Sequence, residues 1–304
     1  MVTEVIKKQV VALVEAEKLK LGSYNMVATR CNVSGGMISH IRNRLDVNVS
    51  DDTWFLIGAK LGLTLGADWK VVEIASLKLM KTTLSTAKEN RLFMAVSDLA
   101  GIGKTTGSKQ FINAASQSGT FYIECREWGK REFLTNLAKV LGISAAKNYM
   151  SLDDLLMEIV GYFQQRGAAK PLLIVDEADK LKPAAIRTII TMYNECQDII
   201  GMVVCGTDNL KMEIKRGVRF NRKGYDEIDS RFGRNYIKLI GANVTDVAAI
   251  CKENGVSNKE VIATIWKECN PVRRVIGERE IMVVEDLRRV KRAVQREVLR
   301  GSAM

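Results

Sequence analysis

Through the middle of the chain, short apolar runs alternate with segments whose apolar positions recur every three to four residues. The runs predict strands at 92–97, 120–124, 172–176, 200–205 and 236–240, and the periodic segments predict helices at 104–117, 130–141, 151–166 and 183–196. Such alternation implies an α/β core, a parallel sheet with helices on both faces. Ahead of it, helical patterns at 3–20, 25–44 and 51–63 predict a small all-helical unit, and an amphipathic helix over 69–88 leads into the first strand. Behind it, residues 242–300 carry only helical signals, among them a capping box at Ser257–Glu260 and a final helix from Glu285 to Arg300. The expected organisation is a helical domain over 1–66, the α/β core with its leading helix over 67–241, and a helical lid over 242–304.

The segment 25–44 has the spacing of a helix-turn-helix. Ala28 is small where two helices would cross, Asn32 suits a left-handed turn, Ser34 caps the second helix, and Val33, Ile38 and Ile41 supply a shared core. The second helix would turn Ser39, His40, Arg42 and Arg44 outward, a set suited to phosphates and base edges. A hairpin used only for packing or oligomer contacts is the alternative. Trp54, Phe55 and Ile57 are expected in the core of this domain.

The first and third strands each run into a chemically specific loop. After the strand at 92–97 comes Asp98-Leu-Ala-Gly-Ile-Gly-Lys-Thr105, a glycine loop ending Gly-Lys-Thr. Gly101 and Gly103 let backbone N–H groups turn around a polyphosphate, Lys104 brings charge to its terminal phosphates, and the Thr105 hydroxyl suits Mg²⁺. Ala100, Gly101, Ile102, Gly103, Lys104, Thr105 and Thr106 are therefore expected around a nucleotide. After the strand at 172–176 comes Asp176-Glu-Ala-Asp179, in which Asp176 would hold the Mg²⁺ shell and Glu177 would polarise the attacking water. Both loops leave the carboxyl ends of parallel strands, where such sheets bind ligands. Asp98 stands where the motif Gly-x-x-x-x-Gly-Lys-Thr has its first glycine, and there it either repels phosphate or points away from it.

Composition narrows the alternatives. The chain has 304 residues, 47% of them apolar, without a membrane-length apolar run or a signal-peptide core at its start, so a cytoplasmic location is expected. Its one histidine, His40, and six scattered cysteines without a Cys-x-x-Cys pair argue against a zinc cluster or a Ser/His/Asp triad and for reduced thiols. An excess of 46 Lys+Arg over 35 Asp+Glu, a net +11, points to a polyanionic partner, nucleic acid first. Further contacts to it are expected from Arg126, Lys130 and Arg131 after the second strand, and from Lys215 and Arg216 in the basic segment 211–223.

The two loop motifs, the α/β core and a lid of this size resemble the AAA+ ATPases. That resemblance implies a first sensor at the end of the strand 200–205, Thr207 or Asn209. It implies an arginine offered to a neighbouring subunit's nucleotide, Arg231 or Arg234, and a second sensor at the start of a lid helix, Arg274 or Arg273. With the small N-terminal domain added, the chain resembles the phage Mu target-DNA activator B family. This implies an ATP- and Mg²⁺-dependent ATPase that assembles as a helical filament on double-stranded DNA and delivers it to a transposase, which stimulates hydrolysis and release. A sequence-specific regulator with a degraded nucleotide site, or an AAA+ loader of another pathway, are the competing readings.

Overall fold

The structure is a computed structural model describing residues 2, 4–43, 49–63, 69–114, 119–143 and 150–302. The expected boundary at 66 lies outside the described residues, as does Arg44.

Strand β3 (Leu172–Asp176) shows how the core is built. Every residue in it is buried, with Leu173 and Val175 in one apolar cluster and Leu172 and Ile174 in another. A strand covered on both faces reads as a continuous apolar run, which is why it was legible. Its neighbours are β1 (Phe93–Ser97), β2 (Thr120–Glu124), β4 (Gly201–Gly206) and β5 (Tyr236–Ile237), in the order β2-β3-β4-β1-β5, all pairs parallel. Helices α5 (Ala75–Asn90) and α6 (Lys104–Asn113) cover one face through Met80, Leu84 and Phe111. The other face is covered by α7 (Lys130–Leu141), α8 (Leu152–Gln164), α9 (Pro183–Ile186), α10 (Thr188–Cys196), α11 (Asp208–Arg219) and α12 (Tyr225–Arg231). The helix expected over 183–196 is thus divided at Arg187, and the basic segment at 211–223 is largely helical.

The N-terminal unit comprises α1 (Glu4–Leu21), α2 (Tyr24–Cys31), α3 (Gly35–Asn43) and α4 (Asp51–Lys60). Asn32 takes the left-handed conformation at φ 58°, and the Ser34 hydroxyl accepts the Met37 N–H at 3.1 Å, so the turn between α2 and α3 forms as its residues predict. Ala28, Ile38, Ile41, Trp54 and Ile57 are buried in one cluster that continues into the α7 face of the sheet. Met26 of α2 packs over Gly142 at the end of α7.

Three expectations need correction. Residues 69–74 are not helical and the leading helix starts only at Ala75, because the Lys70 backbone exchanges two hydrogen bonds with the Asn254 side chain (2.9 and 3.0 Å) and Ile74 turns into the lid core. The last strand stops at Ile237, since the Leu239 N–H is taken by the Asp98 carboxylate at 2.7 Å instead of continuing the ladder. The C-terminal region is not wholly helical. It comprises α13 (Val244–Glu253), α14 (Lys259–Glu268), an antiparallel hairpin of β6 (Val272–Ile276) and β7 (Arg279–Val283), and α15 (Leu287–Ser302). Gly277, at φ 61°, opens the two-residue hairpin loop, and β-branched residues on either side favour strands. Helix α14 is capped by Asn258, whose side chain accepts the Glu260 N–H at 2.8 Å.

Candidate functional site

Three parallel strands deliver their loops to one edge of the sheet. Ser97 at the end of β1 is level with Gly206 at the end of β4, and β3 ends beside them at Asp176. From β1 the chain enters the glycine loop, where Gly101 (φ 87°) and Gly103 (φ 109°) adopt conformations that side chains disfavour. A Cβ on Gly101 would lie 2.2 Å from a carboxylate oxygen of Asp286, at the threshold of α15. The Gly101 carbonyl accepts the Leu287 N–H at 3.0 Å, so the lid rests directly on the loop.

Helix α6 begins at Lys104, which is 8% exposed. Its ammonium donates to the carbonyls of Asp98 (2.6 Å) and Leu99 (2.8 Å), and burial lowers its pKa. The Thr105 hydroxyl donates to Oδ2 of Asp176 at 2.7 Å, and the Tyr122 hydroxyl reaches the same oxygen at 2.9 Å. Burial raises the pKa of Asp176, an effect the donors Thr105, Tyr122 and the Glu177 N–H oppose without cancelling. Glu177 sits at φ 54° and its carboxylate is engaged by Lys180. Asp179 binds Thr207 twice, through the backbone N–H (3.1 Å) and the hydroxyl (2.7 Å), joining the loops after β3 and β4.

Lys104, Thr105, Asp176, Glu177, Asp179, Lys180 and Thr207 border a cavity of about 450 Å³ between the core and the lid. Its lining combines polar groups, Gly101, Lys104, Thr105 and Asp176, with apolar ones, Trp69, Val72, Leu77, Ile250 and Leu287. Apolar side chains beside an N–H-rich loop suit a nucleotide's base and phosphates. A hydroxyl and a carboxylate in contact are hard oxygen donors of the kind that share Mg²⁺ with a phosphate. Among the described residues no cluster of three His, Cys, Asp or Glu side chains offers an all-protein metal cage. All six cysteines are buried and free of disulfides, and burial pushes the Cys31 thiol up to about 11.

Comparison with known proteins agrees with this geometry. Residues 87–212 match the AAA domain family. The crystal structure of Cdc6p from Pyrobaculum aerophilum is similar over 75% of this chain, with a TM-score of 0.53 at 14% sequence identity. The chain covers 62% of that protein's chain, and at this identity the likeness is one of fold. No curated protein matches. The fold is an AAA+ P-loop fold.

Within this AAA+ core the expected site residues divide into those at the cavity and those away from it. Ala100, Gly101, Gly103, Lys104, Thr105, Thr106, Asp176, Glu177 and Thr207 line it. Ile102 does not; its side chain is fully buried among Met80, Leu84 and Val96, anchoring the loop to α5. Asn209 lies in the first turn of α11 and gives its N–H to Thr207. Arg274 is on the hairpin strand β6 instead of a helix, paired with Asp98 at 2.6 Å, while Arg273 is exposed. Asp98 needs no left-handed backbone; its carboxylate points away from the phosphate loop's mouth and into the lid.

Arg231 ends α12 away from its own cavity, its guanidinium 5.0 Å from the Tyr193 ring centroid and 3.1 Å from Asn194 Oδ1. Arg234 is exposed and pairs with Asp226 and Asp229. Among the expected nucleic-acid contacts, Ser39 and Arg42 are exposed on α3, with Arg42 stacked on the Tyr24 ring, while His40 is half-buried. Arg126, Arg131 and Arg216 are exposed, whereas Lys130 pairs with Asp153 (2.7 Å) and Lys215 with buried Asp229 (2.8 Å). Sequence reading missed Tyr122, Asp179 and Trp69. Of these only Asp179 carried a local signal, as the second aspartate of Asp-Glu-Ala-Asp. Among the described residues no helix is long and apolar enough to cross a membrane.

Proposed function

We propose that the protein is an ATP-dependent DNA-binding ATPase that assembles on duplex DNA with little sequence preference, delivers that DNA to a transposase and is reset by hydrolysis. The observation that carries the ATPase reading is the contact of Thr105 with Asp176 beside Lys104 and the glycine loop, in a cavity that the lid helps to line. Nucleotide with Mg²⁺ supplies an in-line phosphoryl transfer to water. Toward it, Lys104 would exchange its two carbonyl partners for phosphate oxygens, Thr105 and Asp176 would hold the metal shell, and Glu177 would leave Lys180 to take a proton from water. Arg231, directed away from its own cavity, acts on the nucleotide of an adjacent subunit.

The DNA part is supported by a net charge of +11, by the exposed Ser39 and Arg42 after a helix-turn-helix turn, and by the resemblance to the phage Mu target-DNA activator B family. Contacts of this kind go to phosphates and give affinity that falls steeply with salt.

The test is binding of the purified protein to random-sequence duplex with ATP, with ADP and without nucleotide across a salt series, with hydrolysis followed in parallel. Cooperative, ATP-dependent, salt-sensitive binding with slow turnover is expected. Nucleotide-independent binding to a single operator would instead make the protein a sequence-specific regulator. ATP-dependent assembly without DNA transfer to any transposase would place it in another AAA+ pathway.

A further inference from the structure

Asp98 is fully buried, and both its carboxylate oxygens are occupied. Oδ1 accepts the Leu99 N–H at 2.8 Å and the Arg274 guanidinium at 2.6 Å; Oδ2 accepts the Leu239 N–H at 2.7 Å. Arg274 also donates to the Leu239 carbonyl and pairs with Glu285 at 3.3 Å, its side chain 13% exposed. One residue of the phosphate loop, the exit of β5 and the lid hairpin therefore meet at a single buried ion pair. On its backbone side, the same Asp98 offers the carbonyl that holds Lys104 at 2.6 Å.

We propose that Asp98 and Arg274 form a latch that clamps the lid hairpin to the base of the phosphate loop and screens the loop from the Asp98 charge. Arg274 is then a positioning residue for the nucleotide site and does not touch the terminal phosphate. The inference rests on the nucleotide-binding reading above. A carboxylate buried under a loop that must receive a polyanion works against binding unless a cation neutralises it. Removing one partner of a buried ion pair leaves the other charge uncompensated. The hairpin cannot swing away without exposing that charge, so the position of the lid and the shape of the loop are coupled.

The test compares the full-length wild type with Arg274→Ala, Asp98→Gly and the double variant, measuring ADP and ATP affinity with Mg²⁺ and thermal unfolding. Arg274→Ala is expected to weaken ADP and ATP alike by about tenfold, and the double variant to recover most of that loss. Asp98→Gly removes the buried negative charge beside the loop but leaves Arg274 without its partner, so it is expected to lower Tm while costing nucleotide affinity less than Arg274→Ala does. A loss confined to ATP, with no recovery in the double variant, overturns the latch, since an arginine on the γ-phosphate cannot be replaced by removing Asp98. If the wild type binds neither nucleotide, the nucleotide reading fails and the unfolding cycle alone judges the latch. Non-additive shifts in Tm then support it and additive shifts overturn it. Should Arg274→Ala not fold, Arg274→Lys keeps the charge without the fork, and the same recovery on removing Asp98 is expected.

Discussion

The Tyr122 hydroxyl donates at 2.9 Å to Oδ2 of Asp176, the same oxygen that accepts from Thr105 at 2.7 Å. Tyr122 lies on β2 and Asp176 ends β3, so adjacent strands fix the carboxylate on one side while α6 fixes it on the other. In the proposed cycle Thr105 would turn to Mg²⁺, leaving Tyr122 as the donor that keeps Asp176 oriented. Tyr122→Phe should raise the Mg²⁺ concentration for half-maximal hydrolysis by about tenfold, with a much smaller change in kcat at saturating Mg²⁺. A Mg²⁺ titration checks this; an unchanged midpoint would remove Tyr122 from the site.

Asp176 is held charged at a cost, because its surroundings raise its pKa through burial. A carboxylate whose folded pKa lies above its unfolded value favours the folded state most when both are protonated. That contribution is lost as pH rises through the folded pKa. Above the raised folded pKa the penalty is present, so Asp176→Asn should raise the Tm of the nucleotide-free protein by a few degrees at pH 7. The advantage should shrink as pH falls through the raised pKa and vanish below about 3.9. Mg²⁺-dependent hydrolysis should be lost in the same variant. Scanning calorimetry against pH checks the first part; a variant less stable than wild type at pH 7 would refute it.

Glu177 faces the cavity of its own subunit, whereas Arg231 contacts Tyr193 and Asn194 outside it. If Arg231 acts across a subunit boundary, Glu177→Gln and Arg231→Ala should each be inactive alone but complement each other when mixed. Random assortment of equal amounts places an intact Glu177 opposite an intact Arg231 at about a quarter of the sites. Recovery of roughly that share of hydrolysis in the mixture is expected, and none would be seen if both residues served one site in cis.

What local patterns reveal, and what they leave out, follows from how far apart the interacting groups lie. The strand Leu172–Asp176 was legible because it is apolar on both faces, the glycine loop because its residue types and spacing are specific, and the α2–α3 turn because Asn32 and Ser34 act on neighbours. The shortened last strand was not legible, since its cause is an Asp98 carboxylate 141 positions away. Nor was the unwound segment before α5, held by Asn254 across 184 positions. The hairpin at 272–283 was hidden by its own exposure: Arg273, Val275, Glu280 and Met282 are exposed, so charged and apolar residues are mixed and no clean alternation survives. Placing Arg274 on a helix followed from missing that hairpin, and its partner Asp98 lies 176 positions earlier.

The exposed cations differ in how far they are committed to the fold, and this separates DNA contacts from structural charges. Lys215 satisfies the buried Asp229 carboxylate at 2.8 Å, so removing it disturbs an interior group that Arg234 and Tyr236 also contact. Arg216, one position on, is exposed, with its guanidinium 6.0 Å from the Phe220 ring centroid. Arg42 is exposed on α3, its guanidinium 4.9 Å from the Tyr24 ring centroid. Arg42→Ala and Arg216→Ala should each leave Tm nearly unchanged, weaken binding to random duplex evenly across sequences, and reduce the slope of log affinity against log salt by about one. Lys215→Ala should lower Tm as well as affinity, because Asp229 loses a cation. Binding isotherms over a salt series, with Tm measured alongside, distinguish the two kinds of residue. A slope unaltered by both arginine variants would move the DNA surface away from α3 and α11, toward Arg126 and Arg131 after β2.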